Sequence, residues 1–501
     1  MKKTASGYRL IFGYLGLFIA FVGVAILLPL IALLAYPQEA GDWYCFVIPG
    51  GGAIVLGIAM FMLIARRTKA QLGKHQDSIL LVLIWVSAIF ISAVPFLLEK
   101  DMNLSFTDAM FETTSCYATV GLSIFKESDY AHHLFVLYRS VLCFLGGIGL
   151  VLIITSAISD RYGLKLYLAE GHNDKLMPNL ARSARVILAI YSGFMVFGFV
   201  LYIIAGMTPY DAIVHSVSAF ATAGFSSHYE GITYFASFPN YWAIQVVSIV
   251  LMLLGATNFL LALFLLTGRF KKVFKDCEIK FFGILCLVFI PLFFMTGIFA
   301  RLGQNIAVGK TFVESTFTYL SAITTTGFAN VSDLKTLGEG TLLLVTLMNI
   351  IGGGMGSTSG GVKQYRFVLA FKSFYWNTRE ATASPNKIYP HFVYRCGKEK
   401  EINHDEIANA FGFIILYIAV LFIGALFVTI FNKGQSNFGD SLFEFGNALA
   451  CTGLSIGVSQ AATNGAKWTL IAGMFAGRLE IIAIYFAFFR AFRDLFRKET
   501  Y

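Results

Sequence analysis

The chain has 501 residues, of which 57% are hydrophobic and only 13% are charged, and its formal net charge is +9. A soluble domain of this length does not bury so much apolar surface in one core, so the composition excludes an ordinary soluble protein. Runs such as 10–36 and 411–431 carry no charge. Each is long enough to cross about 30 Å of hydrocarbon as a helix. The composition therefore indicates an integral membrane protein.

The apolar runs predict ten membrane-spanning helices. In chain order they cover 10–36, 44–65, 78–98, 133–158, 184–206, 241–267, 280–300, 340–371, 408–431 and 467–492. The first run is too long for a signal peptide and has no small-residue cleavage site.

The distribution of basic residues predicts the orientation. With the N-terminus inside, the cytoplasmic segments hold 29 of the 38 Lys and Arg residues and the outer loops hold 7. This positive-inside bias predicts cytoplasmic N- and C-termini in a cell membrane. It also accounts for the net charge without a nucleic-acid partner, and the basic clusters are suited to contact anionic lipid. The seven cysteines form no C-x-x-C pair and are interpreted as small buried hydrophobes.

Four semi-polar segments interrupt the spans and align without a gap. They cover 107–123, 210–227, 313–329 and 439–455. Each contains one matching glycine, and the glycine-to-glycine intervals are 103, 103 and 126 residues: Gly121, Gly224, Gly327 and Gly453. Segments this short do not cross a membrane, so they must dip in and return, buried in protein or lining an aqueous cavity. The pattern predicts an all-α membrane protein in which four tandem span–pore-loop–span repeats surround one central pore, with two extra N-terminal helices.

An acidic residue precedes each of these glycines by thirteen positions: Asp108, Asp211, Glu314 and Asp440. At the N-terminus of a short helix a carboxylate satisfies free N–H groups and the helix dipole. Direct attraction of ions at the pore mouth is the alternative. In either case the helix would end near the glycine, and four carbonyl ends facing one cavity favour a cation.

The residues that end at the four glycines are the candidate selectivity filter. They are Ala118, Thr119, Val120, Gly121, Ala221, Thr222, Ala223, Gly224, Thr324, Thr325, Thr326, Gly327, Ala450, Cys451, Thr452 and Gly453. Rings of backbone carbonyls can replace the hydration shell of potassium. The carbonyls expected to bind it belong to Thr119, Val120, Thr222, Ala223, Thr325, Thr326, Cys451 and Thr452. The alternative is that the glycines only allow close helix packing.

The four-fold glycine pattern resembles the Trk/Ktr/HKT superfamily of potassium transporters over essentially the whole chain. The two extra N-terminal spans make it similar to the TrkH-type subunit rather than the shorter KtrB type. The resemblance implies potassium selection by the four glycines. The second glycine of the potassium-channel signature is absent after Thr119-Val120-Gly121, which implies looser discrimination against sodium.

The resemblance also implies an assembly. It implies a homodimer that rests on a cytosolic, nucleotide-binding regulatory ring of the TrkA type, with the nucleotide on that partner and no cofactor in this chain. The basic stretches 160–185, 269–280 and 372–406 are the predicted docking segments. The domain boundaries we predict are 1–75 for the extra helices, then repeats at 76–160, 161–268, 269–375 and 407–501, with a cytoplasmic linker at 376–406.

A glycine-rich segment interrupts the predicted span 340–371. Six of the ten residues from 352 to 361 are glycine, and each costs a helix about 1 kcal/mol relative to alanine. The segment lacks the lysine of a phosphate-binding loop. Its resemblance to the family's intramembrane loop implies a gate formed by Gly352, Gly353, Gly354, Met355, Gly356, Ser357 and Arg478. The alternative is a passive kink.

Several polar residues lie within apolar segments, and the sequence suggests a role for each. Arg478 lies in the middle of the last span, where a charge is costly, so we expect Glu480 or the carbonyls of 352–357 as partners, with snorkelling as the alternative. Arg139 lies nearer the outer end, and its role stays open between structure and function. Glu112, His215 and Glu444 occupy one repeat position and are interpreted as hydrogen-bonding residues behind the pore.

The function that follows is gated potassium uptake driven by the electrochemical gradient. The chain contains no ATPase or dinucleotide motif and no nucleophile–base pair, so it is not predicted to be an enzyme. A sodium-linked transporter of the same fold is the first alternative. A solute carrier or the membrane part of an enzyme complex is the second, although such carriers often carry inverted repeats.

Overall fold

The computed structural model describes residues 8–65, 76–150, 180–303, 306–383 and 390–496. Within these ranges six helices are long and apolar enough to cross a membrane, and the number rises to eight if two bent helix pairs each count as one span. Two shorter apolar helices, His133–Ile148 and Glu339–Ile351, begin two further predicted spans. The total of ten spans stays a prediction. The end of span 133–158, from residue 151, and most of the docking segment 160–185 lie outside the described residues.

The two N-terminal helices, Tyr8–Leu27 and Trp43–Met60, pack along their length through small residues. A Cβ atom added to Gly16 would lie 2.6 Å from the carbonyl oxygen of Gly57, so the two backbones touch as they do in other small-residue membrane contacts. Short 3-10 turns and a π turn extend the pair: Leu28–Leu34, Pro37–Asp42 and Phe61–Ala65.

The repeats follow in chain order, each with a pore helix of 12 to 16 residues as its second helix. Repeat 1 contains Gln76–Leu98, Phe106–Tyr117 and His133–Ile148; repeat 2 contains Leu180–Ile204, Pro209–Phe220, Tyr241–Gly255 and Phe259–Leu266. Repeat 3 contains Cys277–Ala300, Val308–Ile323, Glu339–Ile351 and Gln364–Ala381; repeat 4 contains His404–Phe431, Phe438–Ala450, Asn464–Leu479 and Ile481–Phe496. Short helices connect them: Glu127–Ala131, Gly231–Ser237, Phe270–Lys275, Leu334–Leu337 and Val458–Ala461. We call the second helix of each repeat pore helix 1 to 4.

Three of the predicted spans are broken rather than continuous. Span 241–267 bends by 116° between Gly255 and Phe259, and span 467–492 bends by 97° where Glu480 adopts a φ of +59°. Span 340–371 consists of two helices separated by an irregular segment, 352–363. The glycine content explains the third break, since glycine in a helix interior is destabilising.

The expectation of an all-α fold is wrong within the predicted linker, residues 376–406. Strands Phe392–Arg395 and Lys398–Glu401 pair antiparallel, with Arg395 opposite Lys398. Cys396 and Gly397 both have positive φ values, 50° and 80°, as a two-residue type I′ hairpin turn requires. One face of the hairpin packs inward, because Val393 is buried while the second strand is exposed.

Candidate ion-conduction site

Three of the four pore helices begin with the same cap. Ser105, Thr208 and Asn437 accept a hydrogen bond from the backbone N–H three residues later, so the predicted acids Asp108, Asp211 and Asp440 lie within the first turn rather than at the cap itself. Pore helix 3 differs. It begins at Val308, and Glu314 therefore lies in its interior, which corrects the predicted capping role for this copy.

Each of the four acids has a basic partner. Their ion pairs are Asp108–Lys467 at 2.6 Å, Asp211–His228 at 3.1 Å, Glu314–Arg301 at 2.5 Å and Asp440–Lys335 at 3.7 Å. These carboxylates are therefore engaged in the protein. That arrangement favours the structural interpretation over direct attraction of ions at the mouth.

All four pore helices end in the same turn. The residue two before each glycine adopts the left-handed conformation, with φ values of 51°, 52°, 53° and 55° for Thr119, Thr222, Thr325 and Cys451. The following N–H bonds to the carbonyl five residues earlier, as in Val120 to Ser115 at 2.8 Å. This is the pattern of a Schellman motif, in which glycine usually takes the left-handed position. A β-branched residue persists there only where the surroundings hold it.

The four glycines form a closed ring in chain order. A Cβ atom added to Gly453 would lie 2.7 Å from the carbonyl oxygen of Val120 and 2.9 Å from the Cα of Gly121. Other added Cβ atoms would also collide with the next copy: that of Gly121 with the carbonyl of Ala223, that of Gly224 with the carbonyl of Thr326, and that of Gly327 with the backbone of Gly453. Gly121, Gly224 and Gly327 also have φ values of 91°, 71° and 91°. The ring therefore requires glycine for both space and conformation.

The ring lies between a wide space and a narrow one. Gly224, Gly327 and Gly453 line a cavity of about 530 Å³ whose wall includes Asp333 and Glu230. On the other side, a cavity of about 60 Å³ lies between the glycine-rich segment, Cys451 and Arg478. The second space is therefore much smaller than the first.

Polar pairs brace three of the four loops behind the ring. The side chain nine residues before the glycine bonds to the serine two residues after it in copies 1, 2 and 4: Glu112–Ser123 at 3.0 Å, His215–Ser226 at 3.0 Å and Glu444–Ser455 at 2.7 Å. In copy 3 both positions differ, because Thr318 and Ala329 stand there. Sequence analysis found Glu112, His215 and Glu444 but missed the serines, although their joint loss in copy 3 was visible in the alignment of repeats.

Arg139 is buried, with 1% of its surface exposed. Its Nε lies 3.4 Å from the Glu112 carboxylate, and its guanidinium stacks 4.6 Å from the Phe125 ring and 4.4 Å from the Phe225 ring. The side chain therefore does not snorkel. It supports the first brace and joins repeat 1 to repeat 2.

The glycine-rich segment lies directly under the ends of the pore helices. The hydroxyl of Thr222 donates to the hydroxyl of Thr358 at 3.2 Å, and the N–H of Gly360 donates to the hydroxyl of Thr325 at 2.7 Å. A Cβ atom on Gly360 would collide with the carbonyl of Ala450. The segment therefore touches copies 2, 3 and 4 at once.

Arg478 joins this segment to copy 1. Its guanidinium donates to the carbonyl of Thr358 at 3.0 Å, to the carbonyl of Gly147 at 3.0 Å and to the carbonyl of Gly146. The predicted partners, Glu480 and the carbonyls of 352–357, are wrong. Glu480 follows the bend at the end of its helix and pairs with Arg366 at 2.8 Å instead.

The same segment is connected to the hairpin 392–401. The N–H of Met355 donates to Glu278 at 3.3 Å and its carbonyl accepts from Asn258 at 2.6 Å. Glu278 is buried and lies 3.6 Å from the Nε of Arg395 in the first hairpin strand. A chain of contacts thus runs from the hairpin to the segment under the ring, and sequence analysis had no signal for it.

Four short helices that end at a common glycine ring, within a bundle of membrane-length helices, indicate a multi-pass membrane protein. The family of cation transport proteins named TrkH matches residues 48–493. The chain belongs to this family.

Two curated relatives and one solved structure extend over nearly the whole chain. The Trk system potassium uptake protein TrkG of Escherichia coli K12 is 28% identical over 97% of this chain and 98% of its own length. The Trk system potassium uptake protein TrkH of Vibrio parahaemolyticus is 30% identical over 95% and 97%. The crystal structure of the potassium transporter TrkH from Vibrio parahaemolyticus matches with a TM-score of 0.81 at 26% identity, covering 95% of this chain and 98% of that one.

Proposed function

We propose that this protein takes up potassium through a gated, channel-like pore whose selectivity filter is the glycine ring. The observation that carries the proposal is the close approach of Gly121, Gly224, Gly327 and Gly453, each against the next copy. Backbone carbonyls from the residues before the glycines abut the ring, and such oxygens are suitable ligands for a dehydrated potassium ion. The Trk relatives are named as potassium uptake proteins, which supports potassium over sodium.

The glycine-rich segment acts as the gate in this proposal. It lies against the ends of the pore helices, and the space beneath the ring is about 60 Å³, compared with about 530 Å³ outside. Arg478 adds a cation on the inner side of the ring, where it opposes the passage of potassium. Opening then requires the segment and Arg478 to move together, since Arg478 holds the carbonyl of Thr358.

The orientation and assembly complete the proposal. Both termini lie in the cytoplasm, so uptake follows the inside-negative membrane potential, which contributes about 2.3 kcal/mol per charge per 100 mV. The protein works as a homodimer with a cytosolic TrkA-type ring that binds the nucleotide. The hairpin 392–401 lies within the predicted docking stretch 372–406 and contacts Glu278, so it offers a route from that ring to the gate.

Ion flux from purified protein in liposomes tests the function. With an inside-negative potential we expect potassium uptake to exceed sodium uptake at equal concentration. Replacing Gly121→Ser should reduce the ratio of potassium to sodium flux, because the added side chain meets the carbonyl of Ala223. Gly309→Ala is the matched control, since nothing lies within 4 Å of a Cβ there.

The outcomes separate the alternatives. A flux ratio that is equal in wild type and Gly121→Ser contradicts the filter assignment. A wild-type protein that conducts sodium in preference to potassium keeps the pore but makes the protein a sodium transporter. If Gly309→Ala also loses flux, substitutions in a pore helix inactivate the protein in general. The effect of Gly121→Ser would then not support the glycine ring as the selectivity filter.

A further inference from the structure

Three side chains from separate elements converge on the outer side of repeat 1. Asp42, Glu99 and His132 each offer one ligand atom, and these atoms lie within 4.8 Å of one another. Asp42 directly precedes helix Trp43–Met60, Glu99 follows helix Gln76–Leu98, and His132 directly precedes helix His133–Ile148. The cluster therefore joins the N-terminal pair of helices to the first repeat, away from the glycine ring.

Two of these side chains occupy cap positions without capping a helix. Asp42 is the N-cap residue of its helix and His132 is the N-cap residue of the next, and neither side chain makes a capping hydrogen bond. Aspartate at an N-cap normally accepts a bond from the first turn, and loss of that bond costs about 1 kcal/mol. The Asp42 carboxylate is instead directed to Glu99 and His132.

The charge of the cluster is not balanced by lysine or arginine. Glu99 is 4% exposed, and its carboxylate accepts from the N–H of Asp101 at 3.1 Å and from the thiol of Cys45 at 3.8 Å. Among the described residues, no lysine or arginine forms an ion pair with Asp42 or Glu99. Nearby carboxylates are paired: Glu39 with His133 at 2.6 Å and Glu112 with Arg139 at 3.4 Å. Two adjacent carboxylates with one imidazole favour a bound cation.

We propose that Asp42, Glu99 and His132 bind one divalent transition-metal ion, for which Zn²⁺ is the best match. Two carboxylate oxygens and one imidazole nitrogen are a zinc ligand set, with water in the remaining position. The imidazole disfavours Mg²⁺ and Ca²⁺, which prefer oxygen ligands. Zinc needs ligand atoms about 2.0–2.2 Å from the ion, so the Asp42 and His132 side chains, which are both only half-buried, would close on it.

The bound ion would fasten the N-terminal helix pair to repeat 1. Asp42 belongs to that pair, whereas Glu99 and His132 flank the pore loop of repeat 1. Because a ligand that binds only the folded protein stabilises it, the metal should raise the melting temperature of the intact chain. This effect does not require the glycine ring to conduct potassium.

Zinc titration of the full-length protein tests the site. The protein is purified in detergent, its affinity tag is removed, and it is stripped with a chelator that is then dialysed away. Isothermal titration calorimetry with ZnCl₂ at pH 7 should give one ion per chain. Asp42→Asn and His132→Gln should each weaken binding at least tenfold and abolish the zinc-dependent rise in melting temperature. The test does not use a variant of Glu99, because a substitution at this buried position could prevent folding.

Matched controls distinguish this site from general binding. Asp101→Asn removes an exposed carboxylate two residues from Glu99, and His404→Gln removes an exposed histidine of the cytoplasmic side. Both should bind zinc as the wild type does. The proposal is overturned if the wild type binds no stoichiometric zinc, if the Asp42 and His132 variants bind as tightly as the controls, or if MgCl₂ competes equally. None of these readouts depends on ion flux, so the potassium proposal is tested separately.

Discussion

The hydroxyl of Ser123 donates a hydrogen bond of 3.0 Å to the carboxylate of Glu112, which is fully buried behind the glycine ring. The bond fixes the chain two residues beyond Gly121 to the pore helix that precedes it. In copy 4 the Glu444 carboxylate accepts the same bond from the hydroxyl of Ser455, and in copy 2 the ring Nε2 of His215 shares a hydrogen bond with the hydroxyl of Ser226. The loop that carries each of these glycines is therefore anchored on both sides.

Removing this bond should weaken both folding and selectivity. Ser123→Ala leaves a buried carboxylate with one donor fewer, which costs about 1–3 kcal/mol. We expect a lower melting temperature and a lower ratio of potassium to sodium flux in liposomes. Thr318→Val, at the position of copy 3 that corresponds to Glu112, is the control, because the Thr318 hydroxyl has no hydrogen-bond partner among the described residues. Equal losses in both variants would contradict the bracing role.

Arg478 should act through its charge. A unit charge about 4 Å from a passing cation opposes it by about 4 kcal/mol at an effective dielectric constant of about 20. Arg478→Gln should therefore raise basal potassium flux at least tenfold in liposomes without the cytosolic partner, and it also loses the bond to Thr358. Arg478→Lys keeps the charge and should conduct less than the Gln variant. Unchanged flux in Arg478→Gln would exclude Arg478 from the gate.

The pair of Arg395 and Glu278 should couple the hairpin 392–401 to the proposed gate. Breaking a buried ion pair from one side costs about 3–5 kcal/mol, and Glu278 also accepts from the N–H of Met355. We expect Arg395→Gln to lower the melting temperature and to raise the closed-state leak of potassium. Lys398→Gln, on the exposed second strand, is the control. If the variant is destabilised but shows no additional potassium leak, the ion pair has only a structural role and the hairpin does not act on the gate.

The N-terminal end of pore helix 2 should be sensitive to acid. Burial opposes the charge of Asp211, but hydrogen bonds from His228, Ser227 and Thr208 outweigh it and lower its pKa to about 2. The stabilisation is complete above about pH 4 and is lost as the pH falls from about 4 towards 2, and a shift of this size corresponds to about 2 kcal/mol. Asp211→Asn should therefore be less stable than wild type at pH 7.

The difference between Asp211→Asn and wild type should narrow at pH 3, measured as the free energy of unfolding in detergent. Asp101→Asn, which removes an exposed carboxylate, should match the wild type at both pH values. A difference that stays constant between pH 7 and pH 3 would mean that the charge of Asp211 is not what stabilises this helix.

The repeat and the ring residues could be predicted from the sequence. Hydrophobic length identifies spans because the bilayer sets a minimum helix length, and four gap-free copies with one shared glycine identified which residues would meet. The break at 352–363 could also be predicted, because its high glycine content disfavours a helix. These features depend on local composition and on repetition, and both are readable along the chain.

The partners of the charged side chains were decided by the tertiary structure alone. Arg478 bonds to carbonyls of Thr358, Gly146 and Gly147, more than a hundred residues away in the chain. The link from Arg395 to Glu278 and the cluster around Asp42 likewise join distant segments. The bend at Glu480 and the additional helical turn before Glu314 each change the direction in which a side chain points. Packing between the repeats sets these backbone angles, and a sequence pattern does not contain that packing.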